Sequence, residues 1–274
     1  MYAIIDYGVK IMFTIETREK ILNDVVDYAY SLQEVVAVLV IGSGAIGFKD
    51  NLSDIDLSII VSQSLDEVMD RVKKYIESNF TLLISLEDKE KRHMQVFFTD
   101  EMLEIDVGYQ RQAEAQVTKP AWIVMKDKTD TLESILAQQW NKKIIEKEKT
   151  KDSLCKKQKD VLDEFVWHYL YIAIKSIKRN EVFRAIKEME HARNLLIETL
   201  CMHYGIDSDR RFKGVDDLPL DVKEKLVMTY PVEMNHTALH KAVKNLIAFV
   251  YEVSDTVYLP FDAINNYYVD VNQK

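Results

Sequence analysis

Cysteine is nearly absent from this chain. Only Cys155 and Cys201 occur among 274 residues. Both fall in helical patterns with no paired spacing, so a disulfide framework is not expected. Long hydrophobic runs are missing too. The longest, Val35 to Ile41, is far short of the roughly 20 residues that span a bilayer. The N-terminus shows no apolar core followed by a cleavage site, so a cytoplasmic protein without membrane association is the expectation. An excess of positive charge is lacking as well, since 36 Lys and Arg against 45 Asp and Glu leave a net charge of −9. Duplex affinity is driven by basic surface releasing counterions. The balance therefore argues against nucleic acid as a partner and favours a cationic small ligand, which a field of opposite sign concentrates. There is no internal repeat and no low-complexity tract. With 47% hydrophobic and 30% charged residues, the chain has enough apolar material for a sizeable core.

The periodicities divide the chain near residue 128 into a mixed α/β part and a helical part, an α+β arrangement. Thr14 caps a helix whose Ile21, Val25, Ala29 and Leu32 recur at helical spacing. Val35 to Ile41 reads as a buried strand and Asp54 to Val61 as a second. Ser64 and Glu67 form a capping-box pattern ahead of a helix with Val68, Val72 and Ile76 on one face. Thr81 to Leu86, Met94 to Phe98, "MLEIDVGY" after a "TDE" turn, and Ala121 to Met125 read as further strands. Beyond Thr129 the pattern is helical. Asp130 and Glu133 are placed as a cap pair, and a charge-rich stretch "EKEKTKDSLCKKQKD" reads as a solvated helix face or joint. Leu162 to Ile177 and Val182 to His203 form two helices broken near Arg179–Asn180, with Gly205 as a C-cap. After a polar loop over 207–220, a last helix runs from about Asn235 through Val253.

Glycine is scarce, yet three of the seven glycines fall in "IGSGAIGFKDNLSDIDLSIIV" at positions 42, 44 and 47. A strand ending in Gly42-Ser43-Gly44 lets the backbone approach a ligand closely, and successive N–H groups there make an anion-binding concavity. Ser43 adds a hydroxyl, so the turn suits a phosphate. No Lys-Ser or Lys-Thr follows, as a Walker phosphate loop needs. The spacing also fits a dinucleotide fingerprint, but the next residues, "KDNLSD", are polar where a crossover helix would be apolar. Asp54 and Asp56 alternate with Ile55 and Leu57, so both carboxylates share one strand face. Side by side they repel and call for a cation. With oxygen ligands and no nearby Cys or His, that cation is Mg²⁺ or Mn²⁺. A phosphate cradle beside a paired-carboxylate site implies a nucleoside triphosphate. In-line displacement at phosphorus also needs a base. "LEIDV" supplies Asp106, with Glu104 on the same face in reserve.

Gly42-Ser43, ten further residues, Asp54-Ile55-Asp56-Leu57 and then Ile105-Asp106-Val107 resemble the signature of the DNA polymerase β-like nucleotidyltransferase superfamily over residues 36–107. The helical remainder looks like the C-terminal domain of small aminoglycoside or lincosamide nucleotidyltransferases. The resemblance implies a nucleotidyltransferase catalytic domain over 1–128, with a mixed β-sheet flanked by helices, and a helical substrate-binding domain over 129–274. It implies transfer of a nucleoside monophosphate, usually AMP from Mg–ATP, to a hydroxyl of a small acceptor with release of pyrophosphate. By position, Gly42 and Ser43 would hold the triphosphate, Asp54 and Asp56 would bind metal, and Asp106 would bind metal or act as base. Where relatives often carry a basic residue this chain has Ile46, and Lys49 is the nearest replacement. The rival readings are adenylylation of a protein or an RNA end, and a non-catalytic nucleotide-binding module of a toxin–antitoxin pair. A homodimer is one state the composition allows.

The remaining polar patterns read as structure. His236 and His240 have zinc-ligand spacing but no third ligand. Arg184 and His191 share a helix face, as in some RNA-cleaving helical domains, yet "AIKEME" between them is an ordinary amphipathic turn. Phe165, Tyr169, Ile172 and Ile177 read as a core stripe.

Overall fold

The computed structural model describes residues 13–100, 103–206 and 214–254. The chain forms two compact units, Met1–Ile145 and Glu146–Lys274. The first is a mixed β-sheet flanked by helices and the second is an α-helical bundle. The expectations for the N-terminus, for Glu101 of the "TDE" turn, and for 207–213 lie outside the described residues. Among the described residues, no helix is long and apolar enough to cross a membrane.

In the first unit, helix α1 (Ile15–Ser31) starts where the Thr14 hydroxyl accepts from Thr17 N at 3.2 Å. Strand β1 (Val35–Ile41) runs into a short 3₁₀ turn over Gly42–Ile46. Strand β2 (Ile55–Val61) and helix α2 (Leu65–Asn79) follow. Then come β3 (Leu82–Asp88), β4 (Met94–Thr99), β5 (Glu104–Arg111) and β6 (Trp122–Asp127). The six strands lie in the order β3-β4-β5-β2-β1-β6. Among the described residues, β2 and β5 pair in parallel and the other pairs are antiparallel.

Alternation along the strands separates the two faces. Ile55, Leu57, Ile59, Ile105 and Val107 pack with Val25, Val68 and Val72 of α1 and α2. Each fully buried branched side chain contributes about 1.5–3 kcal/mol. On the opposite face, Leu39 and Ile60 pack with Leu132 and Leu136 at the start of helix α3 (Leu132–Lys178). The rest of that face carries the acidic residues.

Two helix starts differ from the sequence pattern. Ser64 has φ +54° and its side chain makes no cap hydrogen bond, so the Ser64–Glu67 pattern is no capping box. Helix α3 is capped by Asp127, whose Oδ2 accepts from Leu132 N at 2.8 Å, while Asp130 takes φ +55°. In both places the tertiary course of the incoming chain overrides a local side-chain cap.

The second unit packs the later part of α3 with α4 (Val182–His203), α5 (Leu220–Met228) and α6 (His236–Val253). The charge-rich stretch lies within α3 and is mostly exposed. The helix ends at a Schellman turn in which Asn180 has φ +60° and Glu181 N donates to Ser176 O at 2.9 Å. Gly205 makes the same turn after α4, with Ile206 N donating to Cys201 O at 2.8 Å. Asn235 caps α6 by accepting from Ala238 N. The core stripe is corrected: Phe165 is exposed, and the buried face of α3 is Leu162, Val166, Leu170, Ala173, Ile174 and Ile177. The sequence pattern misses α5. Arg193 on α4 is buried and donates to both the hydroxyl and the carbonyl of Thr229, tying α4 to the end of α5.

Candidate active site

The site is built on the start of two parallel strands. Asp56 on β2 stands in register with Asp106 on β5. The same row continues on both sides, from Leu86 and Val96 through Asp106 and Asp56 to Ile41 and Trp122. Residues in such a row point to one face with neighbouring strands about 4.8 Å apart. The two carboxylates therefore stand beside each other on a rigid floor, and Asp54 precedes Asp56 by two positions.

The 3₁₀ turn meets this pair from the β1 side. Gly42 has φ +75°, and a β-carbon there would lie 2.7 Å from Asp56 Oδ2. Glycine is thus required both by the backbone and by the carboxylate next to it. A β-carbon on Gly44 would lie 3.0 Å from Val40 Cγ1 and 3.2 Å from Phe48 Cε1, so this glycine seats the turn on the core. Gly42 N–H donates to Ala121 O at 2.8 Å. An incoming anion would thus meet the backbone N–H groups beyond Gly42 and the Ser43 hydroxyl, because the first N–H groups of a helical turn lack partners within the turn.

Two cations that the sequence reading did not select belong to this site. Lys119, on the loop before β6, places Nζ 3.2 Å from Asp56 Oδ1. Arg18 on α1 is buried, and its guanidinium donates to Ser53 O at 2.8 Å and to Asn51 O. Asp50 closes the same loop by accepting from Leu52 N at 2.8 Å and from the Ser53 hydroxyl. The approach to Asp54 is therefore pinned from two directions. Burial pushes the Arg18 guanidinium down from its ordinary pKa, while the negative charges of Asp54 and Asp50 oppose that shift. The periodicity of α1 offered no pointer to Arg18 beyond a charged residue three positions before Ile21. Lys119 is 63 residues from Asp56 in sequence.

Burial pushes the Asp106 carboxyl up to about 7, with the like charges of Glu104, Asp56 and Asp54 adding to the rise and Lys119 opposing it. Asp106 Oδ1 is buried and has no hydrogen-bond partner. A buried oxygen of this kind wants a proton or a cation. Among the described residues, no three His, Cys, Asp or Glu side chains close on one point as a preformed metal cage would. Mg²⁺ rarely uses such a cage, since one or two carboxylates and the substrate's phosphates usually suffice. The in-register pair fits that mode.

The other sequence candidates lie elsewhere. Lys49 is exposed. Arg184 pairs with Glu181 at 3.5 Å, and the His191 ring lies 5.1 Å from that of Tyr169. His236 and His240 lie with rings 6.0 Å apart on α6. A groove of about 500 Å³ lined by Glu114, Gln116, Gln139, Trp140 and Lys143 contains none of Asp54, Asp56, Glu104 and Asp106.

Among solved structures, the chain is similar to an aminoglycoside 6-adenyltransferase from Bacillus subtilis. The identity is 12%, the alignment covers 96% of this chain and all of that one, and the TM-score is 0.42. It is also similar to a nucleotidyltransferase-like protein from Exiguobacterium sibiricum at 12% identity, over 87% of this chain and 74% of that one, with a TM-score of 0.38. No family model and no curated protein matches the chain.

Proposed function

We propose that the chain is a metal-dependent nucleotidyltransferase that moves a nucleoside monophosphate, AMP from Mg–ATP, onto a hydroxyl of a small acceptor. The observation that carries this reading is the in-register pairing of Asp56 and Asp106 beside the Gly42 turn. Asp54, Asp56 and Asp106 would hold Mg²⁺ or Mn²⁺. When bound, such an ion neutralises charge developing on the phosphoryl oxygens. Ser43 and the following turn would hold the triphosphate, and Lys119 would exchange its contact with Asp56 for a phosphate oxygen. The acceptor oxygen attacks the α-phosphorus while its proton passes to the Asp106 carboxylate. The bond from the α-phosphorus to the bridging oxygen breaks, and pyrophosphate leaves with that electron pair. Arg18 holds the loop that presents Asp54.

The net charge of −9 favours a cationic acceptor, and aminoglycosides and lincosamides are the acceptors to try first. Incubation with ATP, Mg²⁺ and an antibiotic panel, followed by mass spectrometry, tests the reading. The expected product is an acceptor heavier by one adenylyl group. Label from ATP recovered only on protein or RNA would reject a small acceptor, and absence of any magnesium-dependent binding of ATP would reject the transferase.

A further inference from the structure

The acidic row ends, on its β4 and β3 side, in an open apolar surface. Val96 is the register partner of Asp106, and Leu86 is the partner of Val96. One row along, Phe98 pairs with Glu104 and Ile84 pairs with Phe98. Directly opposed residues share a sheet face. Ile84, Leu86, Val96 and Phe98 therefore form one patch on the same face as the carboxylates. It is far from a closed core: Ile84 is 49% exposed and Leu86 55%. Two positions beyond Asp106 on that face, Gly108 carries no side chain, and a β-carbon there would meet nothing closer than 3.7 Å. The sheet therefore carries bare backbone at Gly108, the register partner of Met94.

The order of the strands says which reactant this patch faces. The 3₁₀ turn follows β1, which borders β2 on the side away from β5. A triphosphate held by that turn lies over the β1 side of the acidic pair. In-line displacement places the attacking oxygen opposite the departing pyrophosphate. The attacking molecule must then approach from β5, and the next surface it meets is β4 and β3. Apolar side chains contribute affinity only to a ligand that has apolar area to bury.

We infer that the acceptor is amphipathic: its reactive hydroxyl meets Asp106 while an apolar flank rests on Ile84, Leu86, Val96 and Phe98. This rests on the transferase reading and narrows it, since a polycation hydrated on every side gains nothing from this face.

Isoleucine methyl NMR separates the two readings in one sample. Ile41 and Ile46 report on the nucleotide side, and Ile84 reports on the patch. The probes are Mg²⁺ with a non-hydrolysable ATP analogue, then hexyl glucoside against methyl glucoside, which differ only in the apolar flank. The expected result is a nucleotide-dependent shift at Ile41 or Ile46, and a saturable shift at Ile84 with hexyl glucoside at least fivefold tighter than with methyl glucoside. Leu86→Ser, at an exposed position, should weaken the hexyl glucoside response at Ile84 at least fivefold while the melting temperature holds. Equal responses to both glucosides, or no response at Ile84, would overturn the inference. So would a shift at Ile84 that follows protein concentration alongside dimer formation in sedimentation, which would assign the patch to a second copy. Silence at Ile41 and Ile46 would remove the transferase reading, and the acceptor role with it, even if Ile84 responded.

Discussion

Gly42 leaves free the space beside Asp56 that any other residue would fill: a β-carbon on the glycine would come within 2.7 Å of the aspartate Oδ2. The turn after β1 and the carboxylate on β2 are one construction. In Gly42→Ala the new methyl must displace the carboxylate, and the backbone at φ +75° adds about 1–2 kcal/mol of strain. The expected outcome is at least a tenfold loss of Mg–ATP affinity by calorimetry, with a melting temperature lowered by a few degrees.

The acidic pair is costly without its counter-ion. Asp106 is held at about 7 in the folded protein against an ordinary 3.8. Between those values the folded chain keeps a proton that the unfolded chain releases. Stability therefore falls as pH rises through this window, and the contribution of the neutral form is lost above about pH 7. In EDTA, Asp106→Asn should melt higher than the wild type at pH 8 by the equivalent of about 2 kcal/mol, allowing for solvent screening. The gap should shrink toward pH 5. Lys119→Met removes the charge that opposes the rise, so the wild-type pH profile should move to higher pH. Melting curves from pH 4 to 9 check both.

Metal capture should depend on the acidic residues and not on the exposed Lys49. Mn²⁺ binding read by electron paramagnetic resonance, with ATP present, should weaken at least tenfold in Asp56→Asn and in Asp106→Asn. Lys49→Met should leave it unchanged, because Lys49 is exposed and outside the acidic row. An ion bound equally by all four proteins would refute the assignment of these ligands.

Arg18 acts through the loop it holds. Arg18→Lys keeps the charge but loses the planar fork that reaches two carbonyls, and Arg18→Met loses both. The Met variant should cost about 1–3 kcal/mol of stability. If the residue positions Asp54, the Lys variant should retain near-native stability while the Mn²⁺ affinity falls several-fold. If stability and metal affinity fall in proportion across both variants, the role is packing alone.

The legible parts of this protein were the local ones. Thr14 caps its helix where its side chain and the following apolar spacing said it would, and the last helix begins beside Asn235 as its spacing indicated. Asn180 and Gly205 end helices because each takes a left-handed conformation. Ser64 and Asp130 misled, since a cap pattern states what a side chain is able to do and the incoming chain decides whether it does so. Phe165 misled for a related reason: one helix offers several apolar stripes, and its packing partners choose among them.

The amino-acid order alone determined that Asp56, Glu104 and Asp106 alternate with apolar neighbours along their strands, that Asp54 stands just ahead of β2, and that a glycine turn precedes them. Alternation is a property of the extended backbone and needs no partner. Only the tertiary structure decided that β2 and β5 are parallel neighbours with Asp56 opposite Asp106, that Lys119 and Arg18 converge there, and that an apolar patch adjoins the acids. Pairing and register are set by contacts between segments distant in sequence, and no local pattern encodes which strand will lie beside which.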